Sequence, residues 1–191
     1  ALEETGQRRD TLIVFTSDNG GLPGGKNPYV GTVADSPVLS SNLPLRGYKN
    51  TLYEGGVRVS ALANWPGRLA PRRLTAPLHA ADWMPTLSAL VGHRPQQDLK
   101  WDGHNAWPII SGIEKDTADR AIYTKSRRAS ALRLGDWKLI QQQKGIELYH
   151  ISDDEGETKN LAAENPQIVR QLLDLLEAEA EKDNDALPDS E

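Results

Sequence analysis

Apolar and polar positions change rhythm partway along the chain. Thr11 to Thr16 is an unbroken run rich in β-branched residues, the pattern of a strand buried on both faces of a parallel sheet. Ser17-Asp-Asn-Gly-Gly21 breaks the run. From Gly20 to about Gly47, Gly, Pro, Ser and Asn crowd together without a period, which predicts a long ordered loop. A second buried strand is expected over Val57 to Trp65, ended by Pro66-Gly67. Ala80, Trp83, Met84, Leu87, Leu90 and Val91 then recur at spacings of three and four, so they share one face of a helix that Gly92 stops. Strand and helix in alternation point to an α/β sheet.

After Gly112 the texture is different. Ala121–Thr124, Ala129–Leu134, Trp137–Ile140 and Glu147–His150 read as short strands parted by glycine turns, such as Gly135-Asp136 and Lys144-Gly145, and predict a small antiparallel sheet. Asn165-Pro166 opens a helix whose apolar stripe is Ile168, Leu172, Leu175, Leu176 and Ala180. The acidic end from Glu177 to Glu191 is expected to fray. At the other end, residues 1–10 lack the basic start and apolar stretch of a signal peptide. They read as the tail of a helix capped by Gly6, hence as a chain expected to continue upstream. The expected division is an α/β part over 1–112 and a small α+β part over 113–191.

Composition narrows the function classes. The chain has 191 residues, of which 38% are hydrophobic, enough for a globular core. Its longest apolar run, Thr11 to Phe15, falls far short of the roughly 20 residues that cross a bilayer, so no membrane span is expected. A net charge of -5 argues against a nucleic-acid partner, which would call for a basic surface; Arg72-Arg73 and Arg127-Arg128 read as solvated charge. With no cysteine, disulfides and thiolate metal sites are excluded. His79, His93, His104 and His150 include no pair at metal-ligand spacing and read as packed or solvated. Trp65, Trp83 and Trp137 are expected in the core, with Trp101 and Trp107 as possible borders of a pocket.

Two segments offer chemistry. Asp18 and Asn19, where a strand leaves a sheet, present hard oxygen ligands suited to Ca²⁺ or Mg²⁺, and Gly20-Gly21 allow close approach of backbone. An ordinary Asx turn accounts for the same residues. In Leu45-Arg-Gly-Tyr-Lys-Asn-Thr-Leu-Tyr-Glu-Gly-Gly-Val-Arg58, the cations Arg46, Lys49 and Arg58 stand near glycines, an arrangement able to hold an oxyanion. The plain alternatives are a Glu54–Arg58 ion pair at spacing four and an Arg46 paired with an acidic neighbour.

Taken in order, Asp18-Asn-Gly-Gly21, Leu45-Arg-Gly-Tyr-Lys49, Tyr53-Glu-Gly-Gly-Val-Arg58, Trp65-Pro-Gly67, His79-Ala-Ala-Asp-Trp-Met-Pro-Thr-Leu87 and Asp102-Gly-His-Asn105 resemble the sulfatases of arylsulfatase type in the alkaline-phosphatase superfamily. Arg133-Leu-Gly-Asp-Trp-Lys-Leu139 and Glu147-Leu-Tyr-His-Ile-Ser-Asp-Asp154 are similar to that family's C-terminal subdomain. The resemblance implies the C-terminal part of an alkaline-phosphatase-like α/β sandwich, followed by a small antiparallel-sheet subdomain with a terminal helix. It implies sulfate-ester hydrolysis, with Asp18 and Asn19 as metal ligands, usually to Ca²⁺ with Mg²⁺ as the variant, and Lys49 on the sulfate group. Arg46 is carried over as substrate-binding, with Glu54 and Arg58 shaping the site. The substrate expected is a small sulfate ester or a sulfated glycan, in a periplasmic, secreted or lysosome-like setting.

One departure governs the reading. The family attacks sulfur with a formylglycine hydrate made within Cys/Ser-x-Pro-x-Arg, and no such motif occurs in these 191 residues. Ser36-Pro37 and Ser126-Arg-Arg128 lack the spacing. The nucleophile and the remaining metal ligands are therefore expected on an N-terminal portion of the same protein, and this chain alone is expected to be inactive. The rival readings are a phosphodiester or phosphonate hydrolase of the same superfamily and a non-catalytic binding module.

Overall fold

A computed structural model describes residues 1–22, 24, 40–115 and 120–183. Most of the Gly/Pro-rich stretch, Ser36-Pro37 and the last acidic residues lie outside the described residues. The chain forms two compact units, each assembled from two segments: Ala1–Thr16 with Ala61–Asp119, and Ser17–Ser60 with Arg120–Glu191.

In the first unit, Gly6 takes the left-handed conformation expected of it, with φ 71°, and a short 3-10 turn over Gln7–Asp10 leads into β1, Ile13–Thr16. β1 pairs antiparallel with β2, Ala61–Asn64, matching Ile13 to Asn64 and Thr16 to Ala61. This corrects the expectation of a strand buried in a parallel sheet. The two strands form a two-stranded sheet, and Phe15 and Leu62 remain 58% and 54% exposed. Their composition suits a covered strand, but among the described residues each has one neighbour and no layer over it.

The helix expected after Ala80 begins as a 3-10 turn, Ala80–Asp82, and continues as α2, Trp83–Leu90, with Gly92 at φ 72° beyond it. His79 caps it: its Nδ1 accepts from the Ala81 N–H (3.1 Å), while Asp82 Oδ2 accepts from the His79 N–H (2.7 Å). Asp82 Oδ1 also accepts from His104 N–H (3.0 Å), and the buried Thr86 hydroxyl accepts from Ala106 N–H (2.8 Å). These bonds dock Asp102–Ala106 on the helix and lead into a one-turn helix, Trp107–Ser111 (α3 below), ended by Gly112 at φ 84°. Trp65 meets Trp107 edge-to-face at 5.9 Å and donates its indole N–H to the Arg9 carbonyl, so Trp107 serves packing. Trp65 and Trp83 are half-buried, short of the core burial expected of them.

The second unit holds the principal core. Its strands are β3 (Ala121–Lys125), β4 (Ala129–Leu134), β5 (Trp137–Gln142) and β6 (Gly145–His150), paired in sequence order and all antiparallel, close to the ranges that alternation predicts. Registry places Leu132 opposite Leu139 and Leu139 opposite Leu148. These three are fully buried against Leu172 and Leu176 of α4, Pro166–Ala180, which starts at the expected proline and stays helical past Glu177. Because side chains alternate across a strand, Ala131, Ile140 and Tyr149 point the other way, against Leu52 and Ile151. The sheet is thus covered on both faces. Trp137, expected in the core, is half-buried and stands edge-on to His150 at 4.7 Å.

Candidate functional site

Residues 17–60 bring the two chemistry-bearing segments together. The chain leaves β1 with the Ser17 N–H on the Ser60 carbonyl (3.1 Å). Asp18 is exposed, and its Oδ1 accepts from Asn19 Nδ2 at 2.8 Å, while the Ser17 hydroxyl caps the turn on the Asn19 carbonyl at 2.9 Å. The next two residues are held by backbone: Gly20 N–H donates to the Gly56 carbonyl (3.0 Å), and Lys49 N–H donates to the Gly21 carbonyl (3.1 Å). Segments far apart in sequence therefore meet main chain to main chain.

Glycine is needed for that approach. A Cβ at Gly20 would fall on the Gly55 carbonyl, one at Gly55 on the Arg46 and Gly47 carbonyls, and one at Gly56 on the Thr51 carbonyl. The same crowding explains why Glu54–Val57 forms a single helical turn, labelled α1, although glycine is a poor helix former. The strand anticipated from Val57 consequently begins only at Ala61.

The cations divide in role. Lys49 is half-buried, and among the described residues no carboxylate pairs with its ammonium. The fork of Arg46 is occupied: Nη1 donates to the Tyr149 hydroxyl (2.8 Å) and the Glu157 carbonyl (2.9 Å), and Nη2 to the Tyr53 hydroxyl (3.1 Å). Its guanidinium also lies 3.9 Å from the Tyr53 ring centre and 3.9 Å from Glu147 Oε2. Both tyrosine hydroxyls donate to Glu147 Oε2 at 2.8 Å. Burial, then the Glu147 hydrogen bond, pushes the pKa of each tyrosine upward, so both remain neutral donors.

Beneath this layer lies a charge cluster. Glu54, 2% exposed, accepts from Lys138 Nζ at 2.8 Å and from Arg133 at 3.4 Å, with Arg58 at 3.9 Å as the spacing of four predicts. Lys138 Nζ also lies 2.9 Å from the fully buried Glu157, whose other oxygen accepts the Glu54 N–H at 2.7 Å. Burial raises the pKa of Glu157, and Lys138 opposes that rise. Lys138 and Glu157 escape sequence reasoning: the first alternates within a strand, and the second ends an acidic run that suggests solvent. The one available signal is Lys138 on the same strand face as Ile140.

As a cation site, Asp18 and Asn19 are chemically apt but few. Ca²⁺ takes about six to eight oxygens, and among the described residues no group of three or more His, Cys, Asp or Glu side chains is arranged to hold a metal. The pair fits as part of a shell. No described helix is long and apolar enough to cross a membrane.

Comparison with known proteins agrees with this architecture. A family model described as Sulfatase matches residues 1–93. Human arylsulfatase A is 32% identical over 94% of this chain and 40% of its own length, and arylsulfatase J of Mus musculus is 28% identical over 91% and 35%. A solved structure of Ps i-CgsB in complex with k-i-k-neocarrahexaose superposes with TM-score 0.80 at 29% identity, over 96% of this chain and 39% of that one. The chain thus spans about two-fifths or less of the length of these relatives. It belongs to the sulfatase family, has part of that family's alkaline-phosphatase-like fold, and corresponds to the C-terminal portion of its members.

Proposed function

We propose that this chain supplies one wall of a sulfate-ester hydrolase site, completed by an N-terminal portion that bears the formylglycine nucleophile. The observation that supports the reading is the backbone joint between Lys49 N–H and the Gly21 carbonyl, which ties the Lys49 segment to the one that follows the Asp18–Asn19 turn; among the described residues no carboxylate pairs with the Lys49 ammonium. Asp18 and Asn19 would furnish two oxygen ligands to a divalent ion, Ca²⁺ or Mg²⁺. When bound, that ion supplies positive charge for the sulfate oxygens and the nucleophile. Lys49, a compact point charge, would offset the negative charge of the sulfate group and the charge that develops on the departing alcohol oxygen as the S–O bond breaks. Arg46, with its fork engaged by Tyr53, Tyr149 and Glu157, would act on substrate chiefly through the loop it anchors.

The substrate class is supported by the names of the relatives, which include arylsulfatases and an N-acetylgalactosamine-6-O-sulfatase of Bacteroides thetaiotaomicron. A small sulfate ester or a sulfated glycan is the substrate proposed. In the full-length enzyme, Lys49→Ala should lower kcat on an aryl sulfate by about 100- to 1,000-fold, and Asp18→Ala should abolish both activity and retained metal. The 191-residue chain alone should turn over no aryl sulfate. Wild-type activity in Lys49→Ala, or unchanged metal content in Asp18→Ala, would remove that residue from the site. Faster cleavage of an aryl phosphodiester than of an aryl sulfate would favour the phosphodiester hydrolase reading.

A further inference from the structure

Asn42 lies among Ser, Asn and Pro residues that suggest loop chemistry and nothing more. Its half-buried side chain nevertheless bridges the two halves of the candidate site. Asn42 Oδ1 accepts from the Gly21 N–H at 2.8 Å, and Nδ2 donates to the Gly21 carbonyl at 3.2 Å and to the Gly47 carbonyl at 3.1 Å. An amide that accepts from and donates to the same residue stands in for a neighbouring strand. The orientation is fixed by chemistry, since a flipped amide would set NH₂ against the Gly21 N–H and oxygen against two carbonyls.

The contacts fall where they govern geometry. Gly21 lies two residues past Asn19, Gly47 two residues before Lys49, and the Gly21 carbonyl also receives the Lys49 N–H. We infer that Asn42 is a positioning residue that fixes the separation between the Asp18–Asn19 turn and the Lys49 ammonium. The inference rests on the sulfate-site reading above. It also explains why the side chain must be an amide: an aspartate of the same shape keeps the bond from Gly21 N–H but turns lone pairs toward both carbonyls, driving the segments apart. A displacement near 1 Å in a reacting constellation costs on the order of 100-fold in rate.

The test uses the full-length enzyme carrying Asn42→Asp or Asn42→Ala, with Lys49→Ala beside them, and reads kcat, KM for an aryl sulfate and the thermal midpoint. Asn42→Asp should lower kcat by about 100-fold and Asn42→Ala by about 10-fold, with KM changed by less than about threefold and the midpoint by no more than a few degrees. Wild-type kcat in both variants, or loss of activity accompanied in both by a collapsed midpoint, would overturn the inference. If Lys49→Ala is inactive while both Asn42 variants are fully active, only the positioning role fails. Should Lys49→Ala itself keep wild-type kcat, the sulfate-site reading fails and takes this inference with it.

Discussion

Replacing Lys138 by methionine tests whether the charge cluster under the candidate site is held together as the distances imply. The ammonium is 3% exposed and lies 2.8 Å from Glu54 and 2.9 Å from Glu157. Glu54 keeps Arg133 and Arg58 in the variant, but Glu157, fully buried, loses its cation and keeps only the Glu54 N–H. Breaking a buried pair by removing one partner costs about 3–5 kcal/mol, because a charge remains buried without compensation. A sign follows for pH. Burial already raises the Glu157 pKa, and removing Lys138 removes the first force opposing it. The folded variant should therefore hold a proton that the unfolded chain releases in the ordinary carboxylate range, and its stability should fall as pH rises through the window between the two values. Urea unfolding followed by circular dichroism should show the destabilisation small within the ordinary carboxylate range and growing as pH rises above it. Adding Glu157→Gln, which keeps an acceptor for the Glu54 N–H, should restore most of it. A loss below about 1 kcal/mol well above the carboxylate range, or one independent of pH, would refute the reasoning.

Two further outcomes bear on the scaffold. Leu148→Ala removes a fully buried side chain facing Leu139 and α4 and should cost about 2–5 kcal/mol in urea unfolding; a cost under about 1 kcal/mol would mean that the sheet face can collapse around the gap. Gly20→Ala drives a methyl onto the Gly55 carbonyl and should cost about 1–3 kcal/mol while speeding exchange of the Gly20 amide hydrogen; unaltered exchange would show that the segments are not in register.

Much of the second unit was legible because local signals agree with one another there. Alternation marks β3 to β6, Gly135 at φ 59° and Gly145 at φ 132° occupy turns only glycine takes readily, and Pro166 opens α4. The first unit misled where composition records a strand's suitability for burial rather than its neighbours. Phe15 and Leu62 read as core and stand exposed, and on α2 Met84 and Leu87 of the predicted apolar face are 60% and 43% exposed. At the candidate site, residue types were legible but partners were not. The resemblance carries Arg46 over as substrate-binding; in the structure its Nη1 bonds residues about a hundred positions away, a separation no local pattern encodes, while Nη2 reaches Tyr53 nearby. Asn42 was invisible for a similar reason: its bridge depends on Gly21, brought to it from twenty-one positions away, as well as on the nearby Gly47 carbonyl.

The anchoring of Arg46 also bears on how the chain could be dissected. Tyr149 and Glu147 belong to the last strand of the meander, and Glu157 lies beyond it. A protein cut short before Gly145 would retain Asp18, Asn19 and Lys49 in its sequence yet lose the floor on which their loop is mounted. The terminal meander is accordingly part of the foundation of the candidate site, and shortening it is a different operation from trimming an appendage.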